Sequence, residues 1–115
     1  MPKIKNARIF NGEDFIPVTA LRYENGIIAE MYDSCDDSDA LDAKGQILCP
    51  GFVDLHIHGS FGRDVLEPGG TAHLRRHLPS VGTTSFCPTN ATDTFEHIHS
   101  FLSEVKQEMA GQSGT

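Results

Sequence analysis

Three side chains able to do chemistry crowd into one short stretch. They are Asp54, His56 and His58, within Pro50-Gly51-Phe52-Val53-Asp54-Leu55-His56-Ile57-His58-Gly59. A Pro-Gly break opens the stretch and a glycine closes it, which marks a short strand. Side chains on a strand alternate faces. Phe52, Asp54, His56 and His58 therefore point one way, and Val53, Leu55 and Ile57 the other. Two histidines at i and i+2 stand close enough to share one metal ion, or to hold half of a larger site. The plainer alternative is a half-exposed strand whose polar face meets water. The apolar face needs cover from helices or another sheet.

The other chemical candidates carry less. His97-Ile98-His99 repeats the triplet, but inside a helical pattern. Two residues on a helix turn about 200° around its axis, so these imidazoles diverge. His73 and His77 sit four apart, yet no Glu follows His73 as in HExxH, and Arg75 and Arg76 lie between them. A solvated face is expected there. The acidic segment Asp33 to Asp42 holds five aspartates. A calcium loop counted from Asp37 would place Leu41 and Asp42 where an oxygen ligand and a glycine belong. A solvated acidic loop is expected instead. Gly59 and Gly62 lack the spacing of a phosphate cradle, and a plain turn explains them.

The elements that must position the histidines follow from periodicity. Lys3 to Phe10 reads as a strand, Asn11-Gly12 as a turn, and Phe15 to Tyr23 as a second strand with an edge-type Pro17. Asn25-Gly26 turns again into a third strand, Ile27 to Met31. These make a small antiparallel meander, too small to stand alone in water. Ile47-Leu48-Cys49 is a short strand running up to Pro50. Thr71 is placed to cap a helix to about Ser80, with Leu74, Leu78 and Val81 on one face. Gly82 to Thr89 is a second strand of the same style as 50–59. Asp93 and Glu96 form a capping box for a helix with a core stripe of Phe95, Ile98, Leu102, Val105 and Met109. Gly111 to Thr115 is a loose tail.

Bulk properties narrow the class. The 115 residues are 38% apolar and 22% charged, with 9 Lys+Arg against 16 Asp+Glu and a formal net charge of −7. That balance argues against nucleic acid and against an anionic membrane face as partners. Cys35, Cys49 and Cys87 show no CxxC spacing and read as free thiols in a reducing compartment. Residues 1–10 have no apolar core of a secretory signal, and no run reaches the roughly 18 residues of a membrane span. A cytoplasmic protein is expected.

From Cys49 onward the order is strand, helix, strand, helix, which means βαβ units and a parallel sheet. Such folds bind ligands at the carboxyl ends of their strands, where His56 and His58 lie. A (β/α)8 barrel takes about 250 residues, so this chain supplies roughly two of eight units. The expected fold class is α/β: an N-terminal β segment over residues 1–48, then the first two βα units of an incomplete barrel over 49–115.

PGFVDLHIHG at 50–59 resembles the first barrel strand of the metal-dependent amidohydrolase superfamily, whose hallmark is an HxH pair there. HGSFGRDV at 58–65 and GTTSFCPT at 82–89 are similar to N-acetylglucosamine-6-phosphate deacetylases. Dihydroorotases and hydantoinases share PGFxDxHxH, but usually continue with HxR and lack the SFxPT pattern. The resemblance implies a TIM-type barrel and a divalent metal, zinc or iron, with His56 and His58 as ligands. It implies hydrolysis of N-acetylglucosamine 6-phosphate to glucosamine 6-phosphate and acetate. Some members lack the pair, so its presence suggests a member able to bind metal at the first strand, in one form as part of a two-metal site. Asp54 would anchor the strand. The resemblance further implies a small amino-sugar phosphate as partner, a homodimer when intact, and a composite β segment completed by residues far along the chain. The family's later ligands, catalytic aspartate and phosphate-binding residues have no counterpart here. The expectation is an N-terminal portion, inactive by itself. The alternatives are a portion of another amidohydrolase, or a non-catalytic remnant that self-associates through open sheet edges.

Overall fold

Asn25 and Gly26 turn the chain with positive φ angles of 50° and 76°, the hairpin geometry that matches strand twist. The computed structural model describes residues 2–111, so the tail expected at 111–115 lies, past Gly111, outside the described residues. They divide into two units, residues 2–50 and 51–111.

The first unit contains β1 (Lys3–Lys5), β2 (Arg8–Ile9), β3 (Ala20–Glu24), β4 (Ile27–Tyr32), β5 (Leu41–Asp42) and β6 (Ile47–Leu48). One sheet runs β4-β3-β1-β5. Its β3 is antiparallel to β4 and to β1, while β5 lies parallel to β1. β2 and β6 form a separate parallel pair. The expected meander describes β1, β3 and β4 but not the rest. Its first strand splits because Asn6 takes φ 56°, outside the extended region. Its second begins only at Ala20: Phe15 makes one isolated bridge to Phe10, and Pro17 has no N–H to offer a ladder. Ala7, Ile9 and Leu21 form the buried core. The acidic segment is not simply solvated. Asp37 pairs with Lys3 at 2.7 Å, Lys5 donates to the Asp37 carbonyl, and Asp42 belongs to β5.

The second unit contains β7 (Phe52–Ile57), β8 (Gly59–Ser60), β9 (Arg63–Asp64), α1 (Gly70–His77), a 3-10 turn (Leu78–Val81), β10 (Thr83–Pro88) and α2 (Phe95–Ala110). β10 lies parallel to β7, and β8 pairs antiparallel with β9. The arrangement is mixed α/β, with the expected strand-helix alternation. Val65, Leu74, Leu78 and Phe101 are its core, and Ile57, Leu66, Phe86 and Val105 pack against them. Each such large side chain contributes about 1.5–3 kcal/mol when fully buried. No helix among the described residues is long and apolar enough to cross a membrane.

Four helix expectations are corrected. Thr71 does not cap α1: it is buried inside the first turn, and the capping position is Gly69, which has no side chain to donate an acceptor. Glu104 of α2 takes that role. Gly69 N–H donates to its Oε2 at 2.9 Å and Thr71 N–H to its Oε1 at 3.0 Å. Val81 is exposed, because the chain tightens into a 3-10 turn at Leu78-Pro79 and leaves the face of Leu74 and Leu78. The α2 cap is Thr94, one residue later than the Asp93 box. Thr94 Oγ1 accepts from His97 N–H, while Asp93 Oδ1 accepts from Thr94 N–H and His97 Nδ1–H. The core stripe holds only in part. Phe101 is the buried residue of α2, while Phe95, Leu102 and Met109 are exposed. Ile98 and Val105 of the expected stripe are half-buried, and Phe101 takes the buried place expected of its neighbour Leu102, in one cluster with Leu74 and Leu78 of the α1 side.

Candidate metal centre

Strict alternation does not hold along β7. Asp54 pairs with Phe86 and Ile57 with Pro88, so three steps of β7 face two of β10. This is a bulge, which re-aims the side chains beyond it. At the bulge the His56 N–H donates to Asp54 Oδ1 at 3.0 Å. The carboxylate thus braces the backbone that carries the first imidazole. Ile57 packs into the core, but Val53 and Leu55 stay 61% and 74% exposed. The apolar face expected to be covered is covered only at its carboxyl end, because α1 and α2 pack there.

That end of the strand is held on both sides. Thr89 N–H donates to the Ile57 carbonyl and Val65 N–H to the His58 carbonyl, both at 2.8 Å. Gly59 then passes so close to the β9 backbone that a Cβ would collide with the Arg63 carbonyl oxygen and Asp64 Cα. The hairpin behind it turns on Phe61 and Gly62, both at positive φ, as the plain-turn reading expects.

His56 and His58 meet within this frame. Their Nε2 atoms lie 3.1 Å apart, and the rings stand edge to face at 75° with centroids 4.9 Å apart. Both side chains are exposed. At the tetrahedral angle, zinc–imidazole bonds of about 2.0–2.1 Å put two nitrogens about 3.3–3.4 Å apart. The observed spacing is slightly shorter and is also that of an imidazole–imidazole hydrogen bond. The pair also suits other divalent ions that accept imidazole, iron among them. Among the described residues, no group of three or more His, Cys, Asp or Glu converges where it could hold a metal. Among the described residues, two imidazoles converge here and no third such group joins them.

The remaining histidines are occupied elsewhere. His97 Nδ1 pairs with Asp93 at 2.9 Å, and His99 lies beside the Phe95 ring. His77 Nδ1–H donates to the His73 carbonyl at 2.8 Å, and the two rings stack at 4.2 Å. His73 Nε2 lies 3.3 Å from the Phe61 carbonyl. The 73/77 pair is thus less solvated than expected and ties the hairpin tip to α1. The three cysteines are unpaired.

Sequence reasoning missed Glu104. Its partners lie 33 and 35 residues away in the chain, beyond any local motif. The one available signal was a helix start at Gly69 lacking a Ser, Thr, Asp or Asn cap.

Comparison with known proteins adds a second line. The chain is 40% identical over 78 residues to N-acetylglucosamine-6-phosphate deacetylase of Mus musculus, covering 64% of this chain and 19% of that protein. The chain is similar to N-acetylglucosamine-6-phosphate deacetylases. It is also 29% identical over 109 residues to N-acetylgalactosamine-6-phosphate deacetylase of Escherichia coli O157:H7, covering 90% of this chain and 28% of that protein. Dihydroorotase of Enterococcus faecalis is 34% identical over 85 residues, covering 68% of this chain and 20% of that protein. The chain spans about a fifth to somewhat over a quarter of the length of these relatives. No family model matches it.

Proposed function

We propose that this chain supplies the first metal-holding strand of a deacetylase acting on N-acetylglucosamine 6-phosphate, releasing glucosamine 6-phosphate and acetate. The observation that carries this reading is the 3.1 Å convergence of His56 and His58 at the carboxyl end of a parallel strand. Similarity to deacetylases of acetylated amino-sugar phosphates supplies the substrate class. In this reading β7-α1 and β10-α2 are the first two βα units of a barrel, and its mouth lies at the strand ends.

His56 and His58 would hold a divalent ion, zinc or iron, through their Nε2 atoms. Such an ion supplies Lewis acidity and lowers the pKa of a bound water to about 7. The protein's own part is orientation. The Asp54 carboxylate fixes the His56 backbone, and Thr89 and Val65 fix the strand end on either side of His58. With both Nε2 atoms on the ion neither imidazole would be free to act as general base, so the 115-residue chain by itself is expected to be inactive.

The test is acetate release from N-acetylglucosamine 6-phosphate by the protein expressed from its whole coding sequence. Turnover that His56→Asn and His58→Asn abolish supports the reading. No acetate from this substrate refutes it. Metal-dependent turnover by the 115-residue chain alone would refute the inactivity. A second reading, hydrolysis of a cyclic amide, is favoured by the similarity to dihydroorotase. Ring opening of dihydroorotate in place of acetate release would establish it.

A further inference from the structure

We infer that Glu104 is a positioning residue for the histidine pair, acting through the loop that follows the strand. The inference rests on the reading of His56 and His58 as metal ligands. Helix α1 begins without a cap of its own, at a glycine, with no acidic residue in its first turn. The only acceptors for its leading N–H groups that come from another helix are the two carboxylate oxygens of Glu104, among the described residues. Gly69 N–H meets Oε2 and Thr71 N–H meets Oε1. A carboxylate at a helix N-terminus is held by both charge and hydrogen bonds. Glu104 thereby fastens residues 69–71 to α2.

From there the constraint runs back to the imidazole through backbone. Gly70 N–H donates to the Glu67 carbonyl at 2.8 Å. Gly70 lies against Asp64 and Val65 so closely that a Cβ would strike the Asp64 carbonyl oxygen. Val65 N–H in turn donates to the His58 carbonyl. Each link is a close backbone contact, so a shift of 69–71 is felt at the residue that carries the second Nε2. A second α1–α2 tie, Arg75 to Glu108 at 3.2 Å, sits at the far end of α1 and does not bear on this loop.

The experiment is a cobalt titration of the 115-residue chain, read by the histidine ring signals in NMR, for five proteins. They are the wild type, Glu104→Ala, Glu104→Gln, Val105→Ala and the double variant His56→Ala/His58→Ala. Val105→Ala loosens the same core without touching the cap. Partners that orient ligating residues are worth about 10–100-fold in metal affinity, and a partner acting through backbone is expected to cost about 3–10-fold. The inference predicts that loss for Glu104→Ala, an intermediate loss for Glu104→Gln, whose amide keeps one acceptor, and unchanged affinity for Val105→Ala. Unchanged affinity in Glu104→Ala overturns it. So does an equal loss in Val105→Ala, which would mean general loosening. If Glu104→Ala does not fold, Glu104→Gln against Val105→Ala decides in the same way. If the double histidine variant binds as the wild type does, the ligand reading itself fails and takes this inference with it.

Discussion

The Asp54 carboxylate accepts a hydrogen bond from the His56 backbone N–H at 3.0 Å, at the bulge where β7 loses register with β10. The side chain two residues before the imidazole therefore decides how the strand presents it. Removing the acceptor leaves that N–H to water or to nothing. Asp54→Ala is expected to cost about 1 kcal/mol of stability, the net worth of one such bond. Asp54→Asn, which keeps an oxygen at the same place, should cost less than half of that. Thermal unfolding of both variants checks the order. Equal stability of Asp54→Ala and wild type would remove Asp54 from its bracing role.

Gly59 does not need a positive φ. It needs the absence of a Cβ, because the Arg63 carbonyl and Asp64 Cα occupy that space. Gly59→Ala is expected to push the hairpin off the strand end and to destabilise by about 1–3 kcal/mol, as overpacking does. For a unit of this size that is a fall in Tm of about 5 °C or more. The Val65 amide, bonded to the His58 carbonyl, should lose protection from hydrogen exchange at the same time. Slow exchange at Val65 in the variant would contradict this account.

In the first unit the hydrogen bond from Lys3 holds the Asp37 carboxyl below its ordinary range, helped by the Asp39 backbone N–H. Asp42 is lowered likewise, first by the Lys44 backbone N–H and then by Asn6. A carboxylate with a depressed folded pKa contributes stability above its unfolded pKa and loses it as pH falls through the folded one. The β1–β5 pairing should therefore weaken below about pH 4, the ordinary carboxylate pKa, and be steady above it. Lys3→Met should move the Asp37 midpoint up toward its ordinary value. An NMR pH titration of the aspartate side chains reads both. An Asp37 midpoint unmoved in Lys3→Met would show that the pairing does not set it.

How much of this was legible beforehand differs by feature. Asn25-Gly26 and the strand-helix alternation after Cys49 were readable, since positive-φ turns and periodicity are local. The extended setting of His56 was readable for the same reason, and so was the helical setting of His97 and His99, whereas His58 lies in a bend just past the end of β7. What escaped was set by tertiary choice. Phe101 and Leu102 both satisfy helical spacing, and only packing on α1 tells them apart. Thr94 and Asp93 are both good caps, and the side chain of His97 engages Asp93 while its backbone takes Thr94. The bulge in β7 depends on its partner strand, which periodicity within 50–59 does not contain. Glu104 reaches α1 from 33 residues away, and the histidine pair at 73 and 77 is tied up by a hairpin tip.

The central claim is that His56 and His58 act together as ligands. Zinc or cobalt titration of the chain, followed through the ring signals of all six histidines, tests it most directly. The account predicts that one ion per chain shifts the His56 and His58 rings together, that either His56→Ala or His58→Ala abolishes the effect, and that His97 and His99 respond to none of it. Metal binding that survives both substitutions, or a wild-type chain whose His56 and His58 signals do not move at saturating metal, would contradict it.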